Sequence, residues 1–121
     1  MEGPLDVTSM EGAVLVSLAK HRLIEGLEAH KVGRAILAFA DDAPGTIVID
    51  FTGVLFVSSA FVGTLVDLYQ KIAPKSVALR LCGMNANVHK VFQVTRLDRL
   101  FTIDQTREDS VAALERKAGP K

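Results

Sequence analysis

Apolar positions along the chain fall into runs of two kinds, short and continuous or spaced at three and four residues. Residues 13–18 (Ala-Val-Leu-Val-Ser-Leu), 46–51 (Thr-Ile-Val-Ile-Asp-Phe) and 77–82 (Val-Ala-Leu-Arg-Leu-Cys) are of the first kind and predict β-strands. The last two are apolar enough to be covered on both faces, which places them in the middle of a sheet. A weaker edge strand is expected around residues 5–9, and a short one over residues 101–103.

The spaced runs predict helices. Ala29, Val32, Ile36 and Phe39 share one helical face and leave Lys31, Arg34 and Asp41 to water, until Pro44-Gly45 turns the chain into the next strand. Residues 59–72 carry a second stripe of Val62, Leu65, Val66, Tyr69 and Ile72, broken at Pro74. Residues 85–96 predict a third helix with Val88, Val91, Phe92 and Thr95 on one face. Thr106 with Asp109 three positions later opens a last helix as a capping box, with Val111 and Leu114 facing inward and the tail from Arg116 fraying. Strands alternating with helices predict an α/β fold: a small mixed β-sheet of four to five strands, right-handed crossovers, and about four helices packed on it.

With 121 residues, the chain suits one domain over 1–121, with a core over about 5–116 and a frayed tail at 117–121. Hydrophobic residues at 49% and charged residues at 23% place it among globular rather than disordered chains. Fourteen basic and fourteen acidic side chains cancel, so no global field draws it to phosphate backbones or anionic lipid, and direct nucleic-acid binding is not expected. The single Cys82 lies in an apolar run and predicts a buried, reduced thiol, which suits the cytoplasm. The first residues show no signal peptide, and no run approaches the roughly 18 apolar residues a membrane span requires.

Chemistry-bearing motifs are few. His21, His30 and His89 lie in different elements with no second ligand at metal spacing, so they are expected to be surface or half-buried structural residues, and no metal or other cofactor is predicted. There is no Gly-rich phosphate loop, Gly-x-Ser-x-Gly or Cys-x-x-Cys, and Asp41-Asp42 reads as a solvated helix end. An enzyme would have only Asp50, Thr52 and two serines to work with, and no His or Lys nearby in sequence to activate a hydroxyl. No catalytic residue is assigned, and the chain is not expected to be an enzyme.

The segment that stands out is residues 50–63, which leaves the presumed central strand, crosses a Gly-containing loop and sets Ser58-Ser59 where a helix begins. Sites in open α/β sheets favour the carboxyl ends of strands. In the plain structural reading, Ser58 is an N-cap and Ser59 the first helical residue. In the functional reading, a hydroxyl at a helix N-terminus accepts a phosphoryl group, setting a charge of roughly −1.5 to −2 against the positive end of the dipole.

Three blocks along the chain carry a resemblance: Val48-Ile49-Asp50-Phe51-Thr52-Gly53-Val54 with Phe56 before the serines; Leu81-Cys82-Gly83-Met84-Asn85 with Val88 and Val91-Phe92; and Thr95-Arg96-Leu97-Asp98-Arg99-Leu100-Phe101. Together they are similar to the STAS domain family, anti-sigma-factor antagonist type, over roughly residues 5–116. In that family a partner kinase, itself an anti-sigma factor, phosphorylates a serine at the start of the second helix and loses its grip; a phosphatase reverses the step. The resemblance makes Ser59 the phosphoacceptor, with Ser58 the second choice. Ser58 stands where the family has an acidic residue, and Phe61 where it has a small one.

The partner contacts expected from the resemblance are Ser58, Ser59, Phe61, Val62, Asn85 and Asn87. Phe61 has two readings, folded onto the core or exposed as an apolar contact. Asn85 and Asn87 are capping residues first, which the resemblance brings beside the serine turn. Two functions follow: a regulatory antagonist docking on an anti-sigma factor or related serine kinase, or a constitutive adaptor in a sensory or lipid-transport complex. Neither involves membrane insertion, and self-association stays open.

Overall fold

The computed structural model describes residues 5–10, 12–41 and 45–118. Strands β1 (Asp6–Met10), β2 (Ala13–Ser17), β4 (Thr46–Asp50), β6 (Ala78–Cys82) and β7 (Thr102–Asp104) form one mixed sheet in the order β1-β2-β4-β6-β7. β1 runs antiparallel to β2, and the other neighbours are parallel. A separate two-stranded parallel ribbon joins β3 (Leu23–Ile24) to β5 (Phe56–Val57), which the strand patterning did not anticipate because each is only two residues long. The helices are α1 (Gly26–Leu37), α2 (Ser59–Ile72), α3 (Ala86–Val94) and α4 (Arg107–Ala118).

Strand alternation divides the core between the two faces of the sheet. Val14, Val16, Ile47, Ile49, Leu79 and Leu81 face the apolar stripes of α1, α2 and α3. Leu15, Val48 and Cys82 face the other way, where Leu114 of α4 packs on them. Every residue of β4 is buried, as expected for a central strand clothed on both sides. An edge-to-face chain of rings (Phe61, Phe51, Phe92, Phe101, Tyr69) ties α2 and α3 to the end of β4 and the approach to β7.

Several expected boundaries move for local reasons. α1 is followed by a 3₁₀ turn (Ala38–Asp41); of the Asp41-Asp42 and Pro44-Gly45 pairs, Asp42 and Pro44 lie outside the described residues. α3 stops at Val94 rather than continuing to residue 96, because Arg96 adopts a left-handed conformation with φ 63°. Thr95, expected on the inner face, is exposed and turns its hydroxyl back to donate to the Val91 carbonyl at 2.8 Å. The Thr106 hydroxyl accepts from the Asp109 amide at 3.1 Å, and α4 runs to Ala118. Residues 119–121 lie outside the described residues.

Candidate functional site

The site begins where β4 ends. Asp50 is buried, and its carboxylate accepts three hydrogen bonds: from the Thr52 amide at 3.0 Å, the Thr52 hydroxyl at 2.6 Å and Arg107 Nε at 2.8 Å. Burial acts to raise this carboxyl, but the Thr52 bonds and the Arg107 guanidinium outweigh it and hold it below its ordinary value. Gly83, with φ +74°, lies against the same group. A Cβ there would come within 2.4 Å of both Asp50 Oδ1 and Thr52 Oγ1, so the turn after β6 admits no side chain.

From this anchor the chain turns at Gly53, where the Val54 amide donates to the Phe51 carbonyl, and climbs along β3. The Leu55 and Phe56 amides both donate to the Arg22 carbonyl, and the Ser58 amide donates to the carbonyl of Ile24. In the ribbon, Leu23 is paired with Phe56 and Ile24 with Val57. Alternation sends Ile24 and Val57 into the core and leaves Leu23 and Phe56 on the surface at 50% and 42% exposure. Leu55 at 44% and Leu27 at 68% add to the exposed apolar surface of this segment and of the first turn of α1.

Ser58 closes the loop and opens α2. Its hydroxyl accepts from the Phe61 amide at 3.2 Å, the bond expected of an N-cap, and its side chain is half-buried. Ser59 is the first residue of α2 and is exposed, and the first turn holds no acidic side chain. Asn85 performs two tasks: its side-chain carbonyl accepts from the Val88 amide at 2.8 Å, capping α3, while its amide donates to the Val54 carbonyl at 3.1 Å. That second bond fastens α3, which packs beside β5, to the serine loop. Asn87, two residues on and already inside α3, is exposed.

Two of the expected contacts do not reach the surface. Phe61 is fully buried against Phe51, and Val62 is buried beside it in the main core. The exposed alternative for Phe61 is therefore corrected, and both Phe61 and Val62, expected among the partner contacts, lie in the core. The physical reason is helical spacing: Phe61, Leu65, Leu68 and Ile72 form one buried stripe. Conversely, Leu23, Leu27 and Leu55 were absent from the expected set, and Phe56 figured only in a motif. A signal existed in Leu55-Phe56-Val57, three consecutive apolar residues that a strand with one buried face cannot all hide.

The remaining polar residues do structural work. Arg80 and Asp104 form a two-pronged pair at 2.9 and 3.0 Å across β6 and β7, and the Ser110 hydroxyl donates to the same carboxylate at 2.6 Å. His21 is buried and contacts Glu28, while His30 is exposed and His89 half-buried. Among the described residues, no group of three or more His, Cys, Asp or Glu is placed to hold a metal ion. The Cys82 thiol is buried, and burial, with the nearby negative Asp50, pushes it up to about 11, leaving it a weak nucleophile. Among the described residues, no helix is long and apolar enough to cross a membrane.

A mixed sheet with helices on both faces and a capped serine turn beyond the carboxyl end of its central strand defines a small α/β domain. The chain belongs to the STAS domain family, whose profile matches residues 4–110. No curated protein matches it in sequence. Among solved structures it is similar to an anti-sigma-factor antagonist (STAS) domain protein from Planctomyces limnophilus, at 23% identity over 93% of this chain and 98% of that one, with a TM-score of 0.83. An anti-sigma factor antagonist from Mycobacterium paratuberculosis is similar at 26% identity over 90% and 91%, with a TM-score of 0.81. The anti-sigma factor antagonist SpoIIAA in its unphosphorylated form superposes at 19% identity over 97% and 98%, with a TM-score of 0.75.

Proposed function

We propose that this domain is a regulatory protein-binding module of the anti-sigma-factor antagonist type, which docks on a kinase-type anti-sigma factor in the cytoplasm and is released when Ser59 is phosphorylated. The observation that carries this reading is the exposed Ser59 hydroxyl at the first position of α2, on a loop whose preceding residues Leu55 and Phe56 are also exposed. A phosphoryl group there adds roughly −1.5 to −2 charge, which the helix N-terminus tolerates but an apolar interface does not. The domain then works by binding rather than by catalysis, and a phosphatase resets it.

Incubation with the cognate kinase and ATP is expected to place phosphate on Ser59, and Ser59→Ala to abolish it. Ser59→Glu is expected to weaken partner binding about tenfold or more, worth about 1.4 kcal/mol. Phosphate on another residue, or none from a kinase that binds, would sink the switch.

One observation favours a second reading, a constitutive adaptor in a sensory or lipid-transport complex. Ser58 supplies a cap at the position where the family resemblance places an acidic residue, so no carboxylate immediately precedes Ser59 in the chain. Equal partner affinity of the wild type and the Ser59→Glu variant would select the adaptor.

A further inference from the structure

The two edges of the sheet are built differently. β7 is only three residues long, and its Asp104 is held by Arg80 and Ser110. β1 is five residues long and pairs with β2 in an unbroken five-position register, with no bulge. Of the devices that usually blunt an edge, Asp6-Val7-Thr8-Ser9-Met10 holds no Lys, Pro or bulge and a single charge, Asp6, at its end. Among the described residues, no strand pairs with its outer side.

Beside this edge the helical layer falls short. Val7 and Ser9 are paired with Val16 and Val14, so they face the side on which α1 packs, yet Val7 remains 45% exposed. A groove of about 460 Å³ opens there, lined by Val7, Ser9, Met10, Ala35, Ala38 and Phe39 among others. An unsatisfied strand edge flanked by an apolar groove fits an added strand: backbone groups supply the pairing, and alternate side chains fill the groove.

We propose that β1 is a homotypic docking strand, pairing antiparallel with β1 of a second copy about a two-fold axis through Thr8. The strand is its own complement. In that register Thr8 faces Thr8 of the partner copy, Val7 faces Ser9, and Asp6 faces Met10. The one charge in the strand therefore never meets its like, and Asp6 is already paired with Lys20 at 3.4 Å. Both Val7 side chains fall on the grooved face, merging the two grooves into one buried seam under a continuous sheet. Such a closed isologous contact stops at the dimer. It lies on a different strand from the serine turn, so it stands whether or not Ser59 is a switch.

Sedimentation velocity of the wild type over rising concentration is expected to show a monomer–dimer equilibrium. The V7K/S9K double variant sets lysine against lysine twice and should weaken it about tenfold or more, whereas V7K/S9E sets opposite charges together and should restore it. In a Cys82→Ala background, Thr8→Cys should give a covalent dimer on mild oxidation. Facing residues lie roughly 4.5–5.5 Å apart, within disulfide reach. Ser9→Cys, whose counterpart would be displaced by two residues to roughly 7–8 Å, should cross-link about tenfold more slowly. A wild type that stays monomeric up to about 1 mM, the weak end of specific association, overturns the proposal. So does a V7K/S9K variant that dimerises unchanged, or a Ser9→Cys variant that cross-links as fast as Thr8→Cys.

Discussion

Phe61 lies two residues past the exposed Ser59, yet its ring is buried edge-on against Phe51 with centroids 6.4 Å apart. Truncating a buried aromatic forfeits transfer energy and leaves a cavity that the surrounding rings close only in part. Phe61→Ala should therefore lower unfolding stability by about 3–5 kcal/mol, read as a shifted urea midpoint. Partner affinity, measured on the fraction that remains folded, should change little. An exposed apolar contact would give the opposite pattern, with stability intact and affinity lost. The two serines divide in a related way. Ser58→Ala removes the hydroxyl that accepts from the Phe61 amide and should cost about 1 kcal/mol, while Ser59→Ala should stay within about 0.5 kcal/mol of the wild type.

At the scale of elements, the β3–β5 ribbon is where local sequence and tertiary demand meet. Two residues per strand give little pairing of their own, and the ribbon is held by Ile24 and Val57 in the core and by the carbonyls of Arg22 and Ile24. Its outer residues carry no such burden. The double variant Leu55→Ser/Phe56→Ser should leave the urea midpoint nearly unchanged and weaken binding to the partner about tenfold or more, as measured by calorimetric titration. Unchanged affinity would move the docking face elsewhere. The helices were legible because their apolar stripes are long: α2 begins and ends at the residues its periodicity marks. The ribbon was not, because two-residue strands offer no period to read.

Over the whole molecule, α4 covers the face of the sheet that the other three helices leave bare, and polar bonds anchor it: Arg107 to Asp50 and Ser110 to Asp104. The Asp50 bond links global stability to pH. Folded Asp50 gives up its proton more readily than the unfolded carboxyl, whose ordinary value is 3.8, so on acidification the unfolded chain takes the proton first. The stabilisation is full above about pH 5 and is lost as pH falls through the folded value. Urea midpoints measured from neutral to acidic pH should decline for the wild type, and the acid limb should flatten for Asp50→Asn. Arg107→Ala, which spares the two Thr52 bonds, should flatten it only in part.

The sequence by itself determined the strands of the main sheet, the four helices and their order, though not the two-residue strands of the ribbon, because alternation, 3.6-residue stripes and the turn residues are local properties of the chain. It also marked Ser58 as a cap and Ser59 as the first helical residue, since capping depends on a few neighbouring positions. Which side chains reach the surface was decided only by the tertiary structure. Phe61 turned inward because Phe51 and Phe92 supply a ring-lined core from other elements, and Phe56 stayed outside because the ribbon gives it no second layer to pack on. The Asp50–Arg107 pair spans 57 positions, and no local pattern encodes a contact made only when α4 lies across the sheet.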